Sequence, residues 1–119
     1  MTAPQMVNIS CVQTPAKSTF DEAIEIALRL ISDAVDSGAQ LICLPEYCGG
    51  LRSENGVFRP PSAPEASHPV LEALLEFSRE ACVWMLIGSV AVDGPEDRLV
   101  NRGFLVYDEG NIRARYDKI

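Results

Sequence analysis

The sequence predicts an α/β fold, half of an α-β-β-α sandwich in which a mixed sheet carries two helices on one face. Three observations lead there. Short apolar runs alternate with two segments of helical period. The opening order strand, helix, strand favours a parallel pair joined by a right-handed crossover. The last two apolar runs are linked by a tight turn and should therefore pair antiparallel. Two helices can hide only one face of a sheet, so a second sheet, from further chain or from a partner, is the simplest cover for the other.

The elements follow in order. Met6 to Val12 is an apolar run, read as a buried first strand bounded by Gln13-Thr14-Pro15. From Phe20 the period changes: Phe20, Ala23, Ile24, Ala27, Leu28, Ile31, Ala34 and Val35 fall on one helical face. Thr19 and Glu22 form a capping box ahead of it, and Gly38 stops it. Leu41 to Leu44 is the second strand. The stretch between Pro45 and Pro69 is rich in Gly, Pro, Ser and charge, has no period, and reads as a long functional or mobile loop. A second helix spans Pro69 to Ala81, with Ser67 as its cap and Val70, Leu74, Phe77 and Ala81 on its buried face. Strands are expected over Val83 to Val92, Leu99 to Tyr107 and Ile112 to Tyr116, with turns at 93–97 and 108–111.

Composition narrows the function. With 119 residues and 47% hydrophobic content the chain fits one globular domain, and no repeat or linker divides it. A net charge of −7 and the lack of any Lys/Arg cluster argue against nucleic-acid or anionic-membrane partners, which need cations to neutralise phosphate. The first residues do not make a secretory signal, and no run approaches the roughly 20 apolar residues of a membrane span, so the expected location is the cytoplasm. Cys11, Cys43, Cys48 and Cys82 include no C-x-x-C pair and read as reduced, buried thiols. His68, the sole histidine, reads as a surface or capping residue, and no Cys/His cluster suggests a metal.

Two residues draw chemical interest. Glu46 lies just past the carboxyl end of the strand Leu41 to Leu44, the edge of an open α/β sheet where ligands bind, and a carboxylate rimmed by apolar groups there suits a general base. Lys118 ends the last strand, and an ammonium held opposite such a carboxylate can stabilise a developing oxyanion. Taken singly, each reads more readily as a solvated charge. Together with Val7 to Gln13, the block Gly38-Ala39-Gln40-Leu41-Ile42-Cys43-Leu44-Pro45-Glu46, the segment Asn101 to Tyr107 and Tyr116-Asp117-Lys118-Ile119, they make a pattern that resembles the nitrilase superfamily of carbon-nitrogen hydrolases, in its amidase-like branch.

The resemblance implies a Glu-Lys-Cys site that turns an amide or nitrile into an acid and ammonia, with Glu46 as general base, Lys118 as oxyanion-stabilising lysine and no cofactor. It implies that residues 1–119 are the N-terminal part of a carbon-nitrogen hydrolase domain, because the family's nucleophilic Cys follows the lysine by several dozen residues and none of the four cysteines here matches its block. Cys48, two residues after Glu46, could approach the carboxylate in an extended segment, but a neighbouring negative charge blunts a thiol, so it reads as a pocket-lining or buried residue. Asn101 matches a family Asn with a structural hydrogen-bonding role. Tyr47 and Arg52, in the loop after Glu46, are candidate substrate contacts, Arg52 for a substrate carboxylate. The expected partners are a small amide or nitrile and either further copies of the chain or a complementing C-terminal segment. The alternative is a non-catalytic module that assembles with another polypeptide.

Overall fold

The computed structural model describes residues 5–119. Its main sheet has five strands in the order β1 (Ile9–Cys11), β2 (Leu41–Leu44), β5 (Trp84–Asp93), β6 (Leu99–Val106), β7 (Ile112–Asp117). The first three are parallel and the last two antiparallel to their neighbours, the mixed sheet expected. Helix α1 (Phe20–Asp36) connects β1 to β2, and α2 (Pro69–Ala81) precedes β5. Among the described residues no helix is long and apolar enough to cross a membrane.

Both helices pack on one face. Ala23, Ala27 and Ile31 of α1 and Val70, Leu71 and Leu74 of α2 meet Ile42, Met85, Ile87, Phe104 and Val106 of the sheet in a single core. Each large side chain fully buried there contributes about 1.5–3 kcal/mol. Thr19 caps α1 as expected, its hydroxyl accepting from the Glu22 N–H at 3.2 Å, and Gly38 follows the helix with φ +96°. The buried stripe of α2 is rotated from the expected one: Leu71 and Ser78 are buried, while Phe77 and Ala81 are only half-buried.

The opposite face of the sheet is open. Side chains alternate across a strand, so Ile9, Leu41, Cys43, Trp84, Leu86 and Leu105 face away from the helices, and Ile9 and Leu86 stay 58% and 45% exposed. This corrects two expectations. The first strand is short and exposed rather than buried, because it is an edge strand with no layer on its open side. Of the thiols only Cys48 is buried; Cys11 and Cys82 are exposed, Cys43 is half-buried, and all four are free.

The long loop holds structure the periodicity did not show. Strands β3 (Arg52–Glu54) and β4 (Val57–Arg59) form an antiparallel hairpin whose two turn residues, Asn55 and Gly56, have φ +51° and +78°. Asn-Gly is the residue pair that such a two-residue turn prefers.

The start of α2 also differs. Its cap is His68, not Ser67, which lies in a single 3₁₀ turn over Glu65–Ser67. The His68 ring is fully buried beside Phe20, with Nδ1 accepting from the Leu71 N–H at 3.5 Å and Nε2 facing the Ala91 carbonyl at 3.1 Å. Nε2 therefore carries the proton. Burial pushes the imidazole below its ordinary value of 6.5, against the pull of Ala91, Asp93 and Glu72. A depressed histidine binds its proton less readily folded than unfolded, so its contribution is complete above pH 6.5 and is lost as the pH falls below it. Urea unfolding should show stability declining from about pH 7 towards about pH 5, by up to roughly 1.4 kcal/mol per pH unit. His68→Asn, which retains a capping side chain, should flatten that decline.

Candidate active site

The carboxyl end of β2 is shaped by a close approach of two backbones. A Cβ at Gly88 of β5 would lie 2.4 Å from the Leu44 carbonyl oxygen and 2.4 Å from the Pro45 carbonyl carbon. One at Gly103 of β6 would lie 2.9 Å from the Gly88 carbonyl oxygen. Both positions admit only hydrogen. The pairing of β5 with β6 also shifts between Ile87 and Val90, a bulge that re-aims the strand beside the end of β2.

Past Pro45 the chain turns sharply. Tyr47 has φ +52°, a left-handed conformation that costs a residue with a Cβ about 1–2 kcal/mol. Two hydrogen bonds to one buried residue hold it there: the Tyr47 N–H donates to Ser89 Oγ at 2.9 Å, and the Cys48 N–H donates to the Ser89 carbonyl at 3.1 Å. Glu46 is thus fixed at the start of an elbow whose far side is pinned to β5.

Lys118 arrives from the other direction. The last paired residues of β6 and β7 are Arg102 and Asp117, and the Lys118 N–H then donates to the Asn101 carbonyl at 2.9 Å. Its ammonium Nζ lies 2.8 Å from Glu46 Oε1. Two residues separated by 71 intervening positions in the chain therefore touch directly. Lys118, but not Glu46, also lines an open cleft of about 380 Å³ on the face without helices, with walls from Leu86, Gly88, Gly103, Leu105 and Tyr116. The Lys118 side chain is 31% exposed and that of Glu46 59%. The apolar rim expected to desolvate Glu46 is not supplied by the described residues.

The remaining candidates separate from this pair. Cys48 is 4% exposed, its Sγ 3.5 Å from the Ser89 carbonyl, and burial pushes its thiol up to about 12, so it stays protonated at neutral pH. That environment suits a packed thiol and not a nucleophile. Arg52 lines a different cavity, of about 620 Å³, with Arg59, Pro61 and Asp97; its Nε is 3.1 Å from Glu54 Oε1 but poorly aligned for a hydrogen bond. Tyr47 is half-buried and its backbone, as described, shapes the elbow. Asn101 contributes through its carbonyl, whereas its buried Oδ1 has no hydrogen-bond partner among the described residues. Another cavity, of about 520 Å³, lies by Leu41 and Trp84 at the opposite ends of the strands, where neither Glu46 nor Lys118 reaches. Among the described residues no group of three or more His, Cys, Asp or Glu side chains could hold a metal ion.

Sequence reasoning missed Gly88, Ser89 and Gly103. A signal was present: an isolated Gly inside an apolar strand marks a bulge or a close backbone approach.

Comparison with known proteins gives the family. The sequence pattern of the carbon-nitrogen hydrolases matches residues 8–119. The chain belongs to the carbon-nitrogen hydrolase family. Solved structures of similar fold include the NitFhit protein of C. elegans, with TM-score 0.76 and 18% identity over 96% of this chain and 29% of that protein. An N-terminal amidase gives TM-score 0.75 and 17% identity over 94% of this chain and 28% of its own. The NitN amidase from Neterenkonia sp. AN1 gives 0.74 and 19% over 96% and 44%. At these identities the likeness is one of fold, and this carbon-nitrogen hydrolase chain spans less than half the length of each.

If Gly88 is what lets the end of β2 cross β5, then Gly88→Ala should destabilise the chain by about 2–3 kcal/mol in denaturant unfolding. An unchanged midpoint would contradict the close approach.

Proposed function

We propose that the protein hydrolyses carbon-nitrogen bonds other than peptide bonds, converting an amide or nitrile to an acid and ammonia at a Glu-Lys-Cys site to which this chain contributes Glu46 and Lys118. The observation that carries the reading is the 2.8 Å contact between the two side chains beside a cleft on the uncovered sheet face. Family membership and the amidases among the structural neighbours support it. In this reading the sulfur comes from outside residues 1–119, since Cys48 is buried and protonated and Cys11, Cys43 and Cys82 do not match the family's cysteine block.

Proton bookkeeping for an amide gives each group its task. Glu46 as carboxylate takes the thiol proton while the thiolate attacks the carbonyl carbon, and the Lys118 ammonium donates a hydrogen bond to the oxygen that becomes negative. Glu46 then passes its proton to the departing nitrogen, ammonia leaves, and a thioester remains. Water attacks the thioester carbon, Glu46 accepts its proton, and the sulfur leaves and regains a proton as the acid is released. Their contact keeps both groups at one point, with Glu46 alternating between carboxylate and acid while Lys118 stays an ammonium. An amide bearing a carboxylate is favoured over a nitrile on likeness to the amidases alone, with Tyr47 as a candidate contact; Arg52, which lines a separate cavity and lies against Glu54, would have to leave both to reach the substrate.

The test is ammonia release from small amides. The 119-residue chain alone should show none. A polypeptide extended to include the cysteine-bearing segment should turn over, and Glu46→Gln and Lys118→Met should each lower kcat by about 10²–10⁴-fold. Turnover by the short chain would put the nucleophile within it. Wild-type rates in either variant would remove that residue from the mechanism.

A further inference from the structure

Four charged side chains sit on the helix-side face of the sheet edge, behind Lys118. Arg102 and Asp117 are register partners on β6 and β7, and Arg102 binds the Asp117 carboxylate with two nitrogens, Nε to Oδ1 and Nη2 to Oδ2, the latter at 2.9 Å. Arg102 Nη1 also donates to Glu65 Oε1 at 3.1 Å. Arg115 forks onto the same Glu65, with Nε 2.9 Å from Oε1 and Nη2 2.9 Å from Oε2. Two cations and two anions balance, and Glu65 belongs to the 3₁₀ turn that leads into α2. The strand edge is thereby tied to the helix layer.

Isolated surface ion pairs contribute little, but bidentate Arg-carboxylate networks are the exception. Glu65 is held below the usual carboxylate range chiefly by its hydrogen bond to Arg115, and Asp117 by its hydrogen bond to Arg102. Position matters more than strength here. The Arg102–Asp117 pair is the last rung of the ladder, and beyond it Lys118 keeps one backbone hydrogen bond. Adjacent residues of a strand point to opposite faces. Clamping Asp117 on the helix side therefore sets where the next side chain emerges on the open side.

We propose that the Arg102–Asp117–Glu65–Arg115 network is a positioning device that aims the Lys118 ammonium at Glu46. This rests on the reading of Glu46 and Lys118 as an active pair, and no group of the network touches the reacting atoms.

The chain has two lysines, Lys17 and Lys118, so competitive acylation reports on one with the other as internal reference. Brief labelling with acetic anhydride well below the melting temperature, followed by peptide mass spectrometry, gives the Lys118 to Lys17 ratio. Asp117→Asn and Arg102→Lys should each raise that ratio at least threefold, because the ammonium is released from Glu46. Glu46→Gln should raise it as much by removing the partner. A role confined to stability would lower the melting temperature and leave the ratio at its wild-type value in both network variants, which would overturn the proposal. A ratio that also fails to move in Glu46→Gln would show that the ion pair itself is not formed, and would sink the proposed site instead.

Discussion

The site depends on one steric constraint, the passage of the Leu44–Pro45 backbone over Gly88. Two glycines in adjacent strands, Gly88 and Gly103, remove the Cβ atoms that would keep those backbones apart. With that space open, β2 can end where it does, the bulge in β5 can offer Ser89 to the following turn, and Tyr47 can stay left-handed on the strength of two hydrogen bonds. Glu46 then has one place to be.

The ion pair is a consequence of that framework and not its cause. Its partners are 31% and 59% exposed, and a pair so solvated gains little in water. The geometry is set by elements with more at stake: the core under the helix face, the ladder that carries β7 to Asp117, and the network that ties this edge to the turn before α2. The two faces of the sheet divide the work. One holds the core and the balanced charges; the other presents the cleft, bare of any cover from residues 5–119.

Most of the fold was legible because the signals were periodic. Helical spacing located α1 and α2, and the turn at 108–111 revealed the β6–β7 pair. What failed was where periodicity is silent. The Asn55-Gly56 turn belongs to a hairpin too short and too polar for alternation to register, although the dipeptide itself was informative. The exposure of Met6, Val7 and Ile9 could not be read, since an apolar run says nothing about whether a layer covers it. Ser67 looked like the cap of α2, yet the 3₁₀ turn ahead of the helix moves that position to His68. At the site, Glu46 and Lys118 were singled out by the family resemblance and not by their places at strand ends, and their contact is a property of the sheet order β2-β5-β6-β7, which no local spacing encodes. Gly88 carried the signal of an isolated strand glycine, but what it meets, like the partners of Ser89, lies more than 40 residues away along the chain.

The contact between the Lys118 ammonium and the Glu46 carboxylate can be trapped chemically. Zero-length coupling with a carbodiimide joins an amine to a carboxylate only when the two are in contact, with loss of one water. Peptide mapping of the coupled chain should find Lys118 joined to Glu46 as its principal product. Coupling of Lys118 to other carboxylates, with Glu46 left free, would contradict the account.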